Sequence, residues 1–295
     1  MIKKRFSKLR KNLKKVLNLL NKLKKDAYEI IFLLPFLQKP FPNNPFGEKA
    51  QSSRNNFLEL HKIAINKKNK KVELFEREYE SSINKVWFSE LSLITQTCIK
   101  NSSLNFNHGR ILYSLLSKYI KNNIKNEDLN LTILETGTAR GFSSLCLSKA
   151  INDQNIKGKV ITIDCLPHNK KMFWNCISDI DGKSTREELL IKWEKELNNI
   201  IFIQGWTIET LNKLGVNRIN FAFLDAQHTK KSVLREFSFI YPRQKKNDVI
   251  FFDDVTPSLF QGVCDAVEEI KSNFPYKVRY LDFDEKRGYA IATRI

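Results

Sequence analysis

Residues 133–141 combine an acidic side chain and two glycines at the end of a short apolar run. The segment reads Ile-Leu-Glu-Thr-Gly-Thr-Ala-Arg-Gly, and an amphipathic pattern begins at Phe142. Gly137 and Gly141 permit positive φ and let bare backbone approach a ligand closely. The carboxylate of Glu135 repels a pyrophosphate and suits a cationic ligand, and the spacing is not the Gly-x-Gly-x-x-Gly of dinucleotide sites. Alone, the turn is also compatible with a plain strand-to-helix connection.

Further acidic residues stand where other short apolar runs end. They are Asp164, Asp225, Asp253 and Asp254. Carboxylates crowded at one edge of a fold repel each other unless cations or hydrogen-bond donors compensate them. A carboxylate at Asp164 can accept both hydroxyls of a ribose, and the turn Gly205-Trp206 after another run suits an adenine ring. Any one of these acids taken singly could instead be a structural cap.

The elements that must position these residues form an alternating pattern from residue 131 onward. Short apolar runs are separated there by amphipathic helices. The runs are 131–135, 159–164, 200–204, 219–225, 248–254, 276–283 and 288–294. This pattern predicts an α/β fold with a parallel sheet covered on both faces. In a doubly wound sheet ligands bind beyond the carboxyl ends of the strands, which is where the acids stand.

The order and spacing of the glycine turn and these acids resemble the cofactor site of the class I S-adenosylmethionine-dependent methyltransferases. The resemblance implies a doubly wound, mostly parallel, seven-stranded Rossmann-like sheet with an antiparallel last strand, preceded by a helical N-terminal region. It also implies S-adenosylmethionine as the cofactor. The implied cofactor-binding residues are Glu135, Thr136, Gly137, Thr138, Gly141, Ser143, Asp164, Gly205, Trp206 and Asp225.

A second stretch narrows this resemblance. It reads Phe223-Leu-Asp-Ala-Gln-His-Thr-Lys-Lys-Ser-Val, and the pair Asp253-Asp254 follows the next strand. The stretch is similar to a bacterial methyltransferase group akin to macrocin-type sugar O-methyltransferases and to proteins known as cephalosporin hydroxylases. In metal-dependent relatives the matching acids hold one Mg²⁺, which implies a metal site at Asp225, Asp253 and Asp254. Carboxylates suit Mg²⁺; a metal-free site in which they cap helices or bind ribose is the alternative.

The chain departs from the motif of this group directly after Asp225. Ala226 replaces the usual Gly, and Gln227 replaces an Asp that is the proposed base in the sugar methyltransferases. A glutamine amide cannot take a proton at neutral pH. His228 is therefore the first candidate for the general base, because its ordinary pKa lies near neutrality. Lys230 is the second and needs a lowered pKa, while a role of His228 as the cap of the following helix is the alternative.

Positive charge is concentrated in an N-terminal arm. Residues 1–71 contain 19 Lys and Arg against 4 Asp and Glu, which gives +15 of the total net charge of +18. Residues 2–25 place apolar side chains at helical spacing among lysines, so residues 1–34 are predicted to contain a basic amphipathic helix. Such a helix can lie on an anionic membrane surface. Docking on a protein, including a second copy of the chain, and simple solvation are the alternatives.

Composition divides the rest of the chain. Residues 35–56 are rich in Pro, Asn and Ser and are predicted to be a linker. Residues 57–130 are a predicted helical cap region, and residues 131–295 are the predicted cofactor-binding domain. Residues 166–195 exceed an ordinary strand-to-helix connection and are predicted to be a lid that shapes the acceptor pocket, although the two tryptophans of this insertion could simply be core.

The cysteines and the hydropathy indicate the compartment. The five cysteines are scattered and never spaced Cys-x-x-Cys, which is typical of reduced thiols. The sequence has no stretch that approaches the roughly 18 apolar residues of a membrane span. We therefore expect a cytoplasmic protein of bacterial type, located peripherally at the inner face of the membrane where the arm binds lipid.

The sequence thus predicts an S-adenosylmethionine-dependent O-methyltransferase, assisted by Mg²⁺, that acts on a hydroxyl of a sugar, glycan or other small polar acceptor. One alternative is a nucleic-acid methyltransferase that grips phosphate with the arm. Nucleic acid is disfavoured because the chain lacks the Asn/Asp-Pro-Pro-Tyr/Phe motif and residues 72–295 carry little excess charge. The other alternative, which Gln227 keeps open, is an inactive scaffold with the same fold.

Overall fold

The structure, a computed structural model, describes residues 15–17, 19–20, 22–24, 27, 44–124, 130–284 and 287–295. The chain divides into two units, Met1–Asn43 and Asn44–Ile295. Much of the predicted N-terminal helix and the first part of the predicted linker lie outside the described residues. The described residues of the first unit are helical. Nowhere in the part of the chain that the structure describes is a helix long and apolar enough to cross a membrane.

The second unit begins with a helical region. Its helices are α1 (Arg54–Ile65), α2 (Lys70–Glu78), α3 (Lys85–Thr95) and α4 (Asn107–Asn123). Side-chain caps define where the helices start, because they satisfy backbone amides that have no partner within the helix. Ser53 accepts a hydrogen bond from the amide of Asn56 at 3.3 Å. Helix α1 therefore begins before the predicted end of the linker at residue 56.

The sheet has seven strands in the order β3-β2-β1-β4-β5-β7-β6. They are β1 (Leu131–Thr136), β2 (Gly158–Asp164), β3 (Ile200–Gln204), β4 (Phe221–Leu224), β5 (Val249–Phe252), β6 (Tyr276–Asp284) and β7 (Arg287–Arg294). The pairs among β1 to β5 are parallel, and β7 runs antiparallel to both β5 and β6. This confirms the predicted fold class, a doubly wound sheet whose last strand is antiparallel.

Helices cover both faces of the sheet. The remaining helices are α5 (Phe142–Asp153), α6 (Arg186–Leu190), α7 (Glu194–Leu197), α8 (Thr207–Leu211), α9 (Lys230–Ile240) and α10 (Pro257–Asn273). Because side chains alternate along a strand, β1 serves two layers. Leu134 is buried in a core that also contains Phe237 of α9 and Val267 of α10. Its neighbour Glu135 points the other way and accepts a hydrogen bond from Ser144 of α5.

The insertion between β2 and β3 is packed by its own aromatic residues. Trp174 is fully buried, and Trp193 is nearly so. The indole nitrogen of Trp174 donates to the carbonyl of Ser184 at 2.8 Å, and Met172 and Ser184 form an antiparallel bridge. The two tryptophans are therefore core residues, which was the alternative left open by the sequence. The role of the insertion as a lid over the acceptor remains a prediction.

The topology gathers the acidic residues at one edge of the sheet, which we call the carboxyl edge because β1 to β5 end there. Asp164 ends β2, Asp225 follows β4 and Asp253 follows β5. Strand β7 runs in the opposite direction, so its first residue lies at the same edge. Arg287 is that residue, which brings a cation to the acids.

Candidate active site

The glycine turn after β1 is pressed against the loop after β4. Gly137 has a φ of 92° and Gly141 a φ of 90°, a region that favours glycine. A Cβ on Gly137 would lie 2.0 Å from the carbonyl oxygen of Asp225. The amide of Gly137 donates to the carbonyl of Ile163 at 2.9 Å. The turn thus joins the ends of β1, β2 and β4 through backbone contacts.

Asp164 holds the outer part of this turn. One of its carboxylate oxygens accepts from the amide of Ala139 at 2.7 Å, and the other accepts from the amide of Leu166 at 2.7 Å. Ala139 has a φ of 46°, and its carbonyl accepts from the buried guanidinium of Arg186 at 3.0 Å. The backbone of Ala139 is therefore held by two hydrogen bonds, one to Asp164 at the end of β2 and one from Arg186 of the insertion.

The end of β3 lies directly beside Asp164. The amide of Gly205 donates to the carbonyl of Asp164 at 2.8 Å. Trp206, the next residue, is 44% exposed, which is unusual for so large an aromatic side chain. The structure therefore brings together the predicted residues Asp164, Gly205 and Trp206, although they are some 40 positions apart in the chain.

Glu135 lies beneath the turn and is fully buried. Burial raises the pKa of its carboxyl group, while hydrogen bonds from Ser143, Ser144 and Thr162 act in the opposite direction. Its Oε1 atom is buried without a hydrogen-bond partner. An unpartnered buried carboxylate oxygen is costly unless a donor or a cation reaches it. Contact of Glu135, Thr136, Thr138 and Ser143 with a cofactor remains a prediction.

The second cluster of functional side chains is built around Asp254. Its Oδ2 atom lies 2.9 Å from Nε2 of His228, and its Oδ1 atom lies 3.0 Å from Nη1 of Arg287. Asp253 turns back on its neighbour and accepts the amide of Asp254 at 2.7 Å. Both aspartates are buried. Arg287 was missed at the level of sequence, because only the direction of β7 brings it to this edge.

Crowding changes the titration of these acids. Burial, and then the charges of Asp253 and Asp254, raise the pKa of Asp225 well above its ordinary value. Burial and the neighbouring Asp254 raise the pKa of Asp253 to about 7, against the opposing charge of Arg287. The raised pKa values of Asp225 and Asp253 both indicate that the surrounding side chains compensate the negative charge at this edge only in part.

Three side chains could hold a metal ion together. Asp225, His228 and Asp254 each offer one ligand atom, and these atoms all lie within 4.8 Å of one another. The sequence named Asp253 where the structure has His228. The reason is local, because Asp253 directs an oxygen to the amide of Asp254, while His228 reaches Asp254 from the loop before α9. Carboxylate oxygens with one imidazole are an acceptable donor set for a divalent cation.

Close backbone contacts fix the loops that carry these ligands. A Cβ on Gly262 of α10 would lie 2.6 Å from the carbonyl oxygen of His228. A Cβ on Gly288 would lie 2.1 Å from the carbonyl oxygen of Val255. These two glycines therefore let α10 and β7 approach the loops after β4 and β5, and so determine where His228 and Asp254 meet.

A segment of the helical region covers the same edge. His108 at the start of α4 is buried, with its ring 4.9 Å from that of Phe142 and 6.5 Å from that of Phe223. Burial, helped by the cations Arg287 and Lys100, lowers the pKa of His108 to about 3. His108 is thus a neutral packing group of the covering segment.

Comparison with known proteins agrees with this arrangement. Residues 134–255 match the sequence profile of a family described as a methyltransferase domain. This stretch of the chain is therefore similar to a methyltransferase domain. The matched residues include the glycine turn, Asp164, Asp225, His228 and Asp254, so the prediction of a methyltransferase is confirmed. No protein of curated function matches the chain in sequence.

Solved structures share the fold of the second unit. Cofactor-bound Rv0187 from MTB has a TM-score of 0.51 at 15% identity, over 72% of this chain and 90% of that one. The O-methyltransferase TomG from Streptomyces achromogenes, in complex with SAM, has a TM-score of 0.50 at 16% identity, over 72% and 91%. The O-methyltransferase NovP has a TM-score of 0.50 at 13% identity, over 69% and 88%. At these identities the likeness is one of fold.

The two candidate bases, His228 and Lys230, have different surroundings. His228 lies beside Asp254, and its ring is 4.4 Å from that of Phe260. The cap of α9 is Thr229, whose hydroxyl accepts the amide of Ser232 at 3.2 Å. The alternative of His228 as the helix cap is therefore wrong.

Lys230, the second candidate, is held in an ion pair. Its Nζ atom lies 2.8 Å from a carboxylate oxygen of Glu269. The hydrogen bond and charge of Glu269 raise the pKa of Lys230, whereas a lysine base needs a lowered pKa. The partner comes from α10, far along the chain, so the sequence did not reveal it.

Glu236 is a further buried acid beside the site that sequence reasoning missed. It lines a cavity of about 10 Å³ together with Asp225, His228 and Asp253. Its Oε2 atom accepts the hydroxyl of Thr136 at 3.0 Å, and its Oε1 atom has no hydrogen-bond partner. Burial raises the pKa of Glu236 to about 8, so this carboxyl group is neutral at pH 7.

The contact between Gly137 and Asp225 predicts the effect of adding one methyl group. Gly137→Ala should destabilise the chain by about 2–4 kcal/mol, because the new Cβ collides with backbone and φ is positive. Gly215→Ala is the matched control, since a Cβ there meets nothing within 4 Å. Urea unfolding measures both variants. Equal stabilities of the two would contradict the close contact.

The buried Glu236 predicts a pH-dependent stability difference. The folded state holds a proton on Glu236 up to about pH 8, whereas the unfolded state releases it near pH 4.5. The stability of the wild type should therefore fall as pH rises from about 4.5 to 8. Glu236→Gln does not titrate, so it should gain stability relative to wild type, by a few kcal/mol at pH 8.5 and little at pH 5. Urea unfolding at pH 5, 7 and 8.5 tests this.

Glu187→Gln, on the exposed start of α6, is the matched control for Glu236→Gln. Its stability relative to wild type should be the same at all three pH values. The interpretation of Glu236 fails if the curve for Glu236→Gln also runs parallel to that of wild type.

Proposed function

We propose that the chain transfers a methyl group from S-adenosylmethionine to a hydroxyl oxygen of a sugar or another small polar acceptor. The observation that carries the proposal is the junction of the glycine turn with two acids. Gly137 lies against the backbone of Asp225, and Ala139 donates to Asp164. The match to a methyltransferase domain supports it. TomG and NovP, which share the fold, are named O-methyltransferases.

Asp164 and Trp206 would bind the nucleoside part of S-adenosylmethionine. Each oxygen of Asp164 accepts one backbone amide, and a carboxylate has further lone pairs for ribose hydroxyls. The exposed ring of Trp206 stands one strand away and offers a flat face for the adenine. The acids of the carboxyl edge suit the positive charge of the sulfonium group.

Asp225, His228 and Asp254 fit a divalent cation, for which Mg²⁺ is the candidate. Their ligand atoms lie within 4.8 Å of one another. Burial, and then the charges of Asp253 and Asp254, raise the pKa of Asp225, and a bound cation would offset both effects. When bound, a divalent cation lowers the pKa of a coordinated hydroxyl group. The side chains of the chain then have to orient the acceptor and take its proton.

His228 is the side chain that we propose takes this proton. Asp254 contacts Nε2 of the ring at 2.9 Å, and Phe260 packs against the ring, so its orientation is fixed. A partly exposed imidazole suits a general base, because histidine is the side chain that most often moves protons in catalysis. Nε2 faces a carboxylate and donates to it, so Nδ1 would take the proton. A His228 that ligates a cation through Nε2 could not also serve as this base.

A crossed pair of substitutions tests the two halves of the site without a known acceptor. Calorimetry should show that S-adenosylmethionine binds the wild type in the micromolar range. Asp164→Ala should weaken that binding at least tenfold and leave Mn²⁺ binding unchanged, because Asp164 would hold the ribose. Asp254→Asn should weaken Mn²⁺ binding at least tenfold and leave S-adenosylmethionine binding unchanged, because Asp254 would hold the metal.

Three outcomes of this crossed experiment bear on the assignment. Absence of S-adenosylmethionine binding to the wild type would refute the proposed function, and absence of Mn²⁺ binding would refute the metal. His228→Gln separates the roles of the imidazole, because it weakens Mn²⁺ binding only if His228 is a ligand. Lys230→Gln is the control and should change neither affinity.

We further propose that the basic arm lies on an anionic membrane surface. In the described helical residues of the arm, Val16, Leu20 and Leu23 are more than half exposed. At 100° per residue these three share one helix face. Residues 1–34 contain 11 Lys and Arg against 2 Asp and Glu. Exposed leucines bordered by lysines are the combination that binds anionic lipid.

Vesicle sedimentation tests the arm. The full chain should bind phosphatidylglycerol vesicles at least tenfold more tightly than phosphatidylcholine vesicles, because lysines attract anionic headgroups. Substituting Glu for Val16, Leu20 and Leu23 should abolish binding. Leu74→Glu, at an equally exposed site on α2, should not. Equal binding to both lipids, or binding that survives the triple substitution, would argue against a membrane partner.

A further inference from the structure

A large cleft in the helical region has no role in the site described above. Its volume is about 960 Å³, which is in the range of small-molecule sites. Its walls come from the end of α1 and the following connection, from α2 and the turn after it, from the start of α3, and from residues 104–110. The glycine turn and the metal-ligand candidates are not among the lining residues.

The lining suits a ligand rich in hydroxyl groups. Most of its members are polar or charged, and its side-chain amides and hydroxyls both donate and accept hydrogen bonds. The uncharged polar members are Asn66, Asn69, Asn105, Asn107, Ser81, Ser82 and Ser89. A smaller apolar surface includes Ile83, Phe88 and Phe106.

The charge of the lining favours an anionic ligand. Glu76 is held by the guanidinium of Arg110 through two hydrogen bonds of 2.8 and 2.5 Å, and Glu80 is paired with Lys118 at 2.8 Å. These two carboxylates are therefore already neutralised. The other charged residues of the lining are one acid, Glu73, and the cations Lys67, Lys68, Arg77 and Lys85, so positive charge is in excess. Lys68 and Lys85 have exposed side chains. Lysines at the mouth of a cleft attract phosphate or carboxylate groups.

One residue links the cleft to the acidic cluster. The side chain of Asn105, which lines the cleft, donates to the hydroxyl of Tyr289 at 3.2 Å. The ring of Tyr289 stacks on that of Phe251, with 5.5 Å between their centroids. Phe251 is two residues before Asp253, and Tyr289 is two residues after Arg287. The cleft is thus connected, through Asn105 and Tyr289, to strands β7 and β5, which lead to Arg287 and Asp253.

We propose that this cleft binds the methyl acceptor and that the acceptor is an anionic sugar, such as a sugar phosphate. Lys68 and Lys85 would hold the anionic group, and Asn105 is the lining residue that contacts β7, the strand that begins at Arg287. The proposal rests on the proposed function, since it names the acceptor class for that reaction. None of the residues assigned here to the acceptor is among those assigned above to S-adenosylmethionine.

Binding of simple sugars to the full chain tests the proposal. Calorimetry or ligand-observed NMR would compare glucose 1-phosphate with glucose and with inorganic phosphate. Glucose 1-phosphate should bind at least tenfold more tightly than either fragment, because it offers both the hydroxyls and the anion. Lys68→Glu with Lys85→Glu should reduce that affinity at least tenfold and leave S-adenosylmethionine affinity unchanged.

Lys246→Glu is the matched control, because it reverses an exposed lysine in the connection that precedes β5, at the opposite end of that strand from Asp253. It should leave sugar binding unchanged, and thermal unfolding checks that all variants fold. The proposal is overturned if the wild type does not prefer glucose 1-phosphate, or if the double variant binds it as the wild type does. Loss of S-adenosylmethionine binding in the wild type would instead count against the proposed function, so the two failures are distinguishable.

Discussion

Compensation of buried negative charge at the carboxyl edge is the constraint on which the rest of the site depends. Parallel strands bring Asp225 and the pair Asp253-Asp254 to one place, where water cannot fully solvate them. Asp254 is compensated by Arg287 and His228, and Asp253 by a backbone amide. Asp225 has least compensation, since its pKa is raised by burial and by both neighbours. The divalent cation proposed above would relieve this uncompensated charge.

The compensation works only because loops approach each other without side chains between them. Three glycines lie against backbone carbonyl groups: Gly137 against Asp225, Gly262 against His228 and Gly288 against Val255. A Cβ atom on any of these glycines would lie less than 3 Å from the carbonyl oxygen. One added methyl group would therefore push the two segments apart. The spacing of the acids, the imidazole and the guanidinium is therefore set by backbone packing. Because glycine has no side chain, these three positions let the backbone segments approach closely enough to bring the charged groups together.

The sequence predicted those parts of the structure that depend on local pattern. The seven strands, the turn at Gly137 and the acid at Asp164 follow from periodicity and strand ends, which neighbouring residues determine. Three features depend on distant partners or on the orientation of one side chain and could not be predicted. Arg287 reaches the acids through the antiparallel strand, and Lys230 pairs with Glu269 of another helix. The exchange of His228 for Asp253 depends on one side-chain orientation.

Gln227 was the main reason to suspect an inactive scaffold, and its surroundings weaken that alternative. Its carbonyl oxygen accepts the hydroxyl of Ser232 at 2.6 Å, so the amide fastens the loop after β4 to the first turn of α9. The same loop presents His228 to Asp254. The glutamine thus supports the loop that presents His228 to Asp254, which is the arrangement on which the proposed function depends.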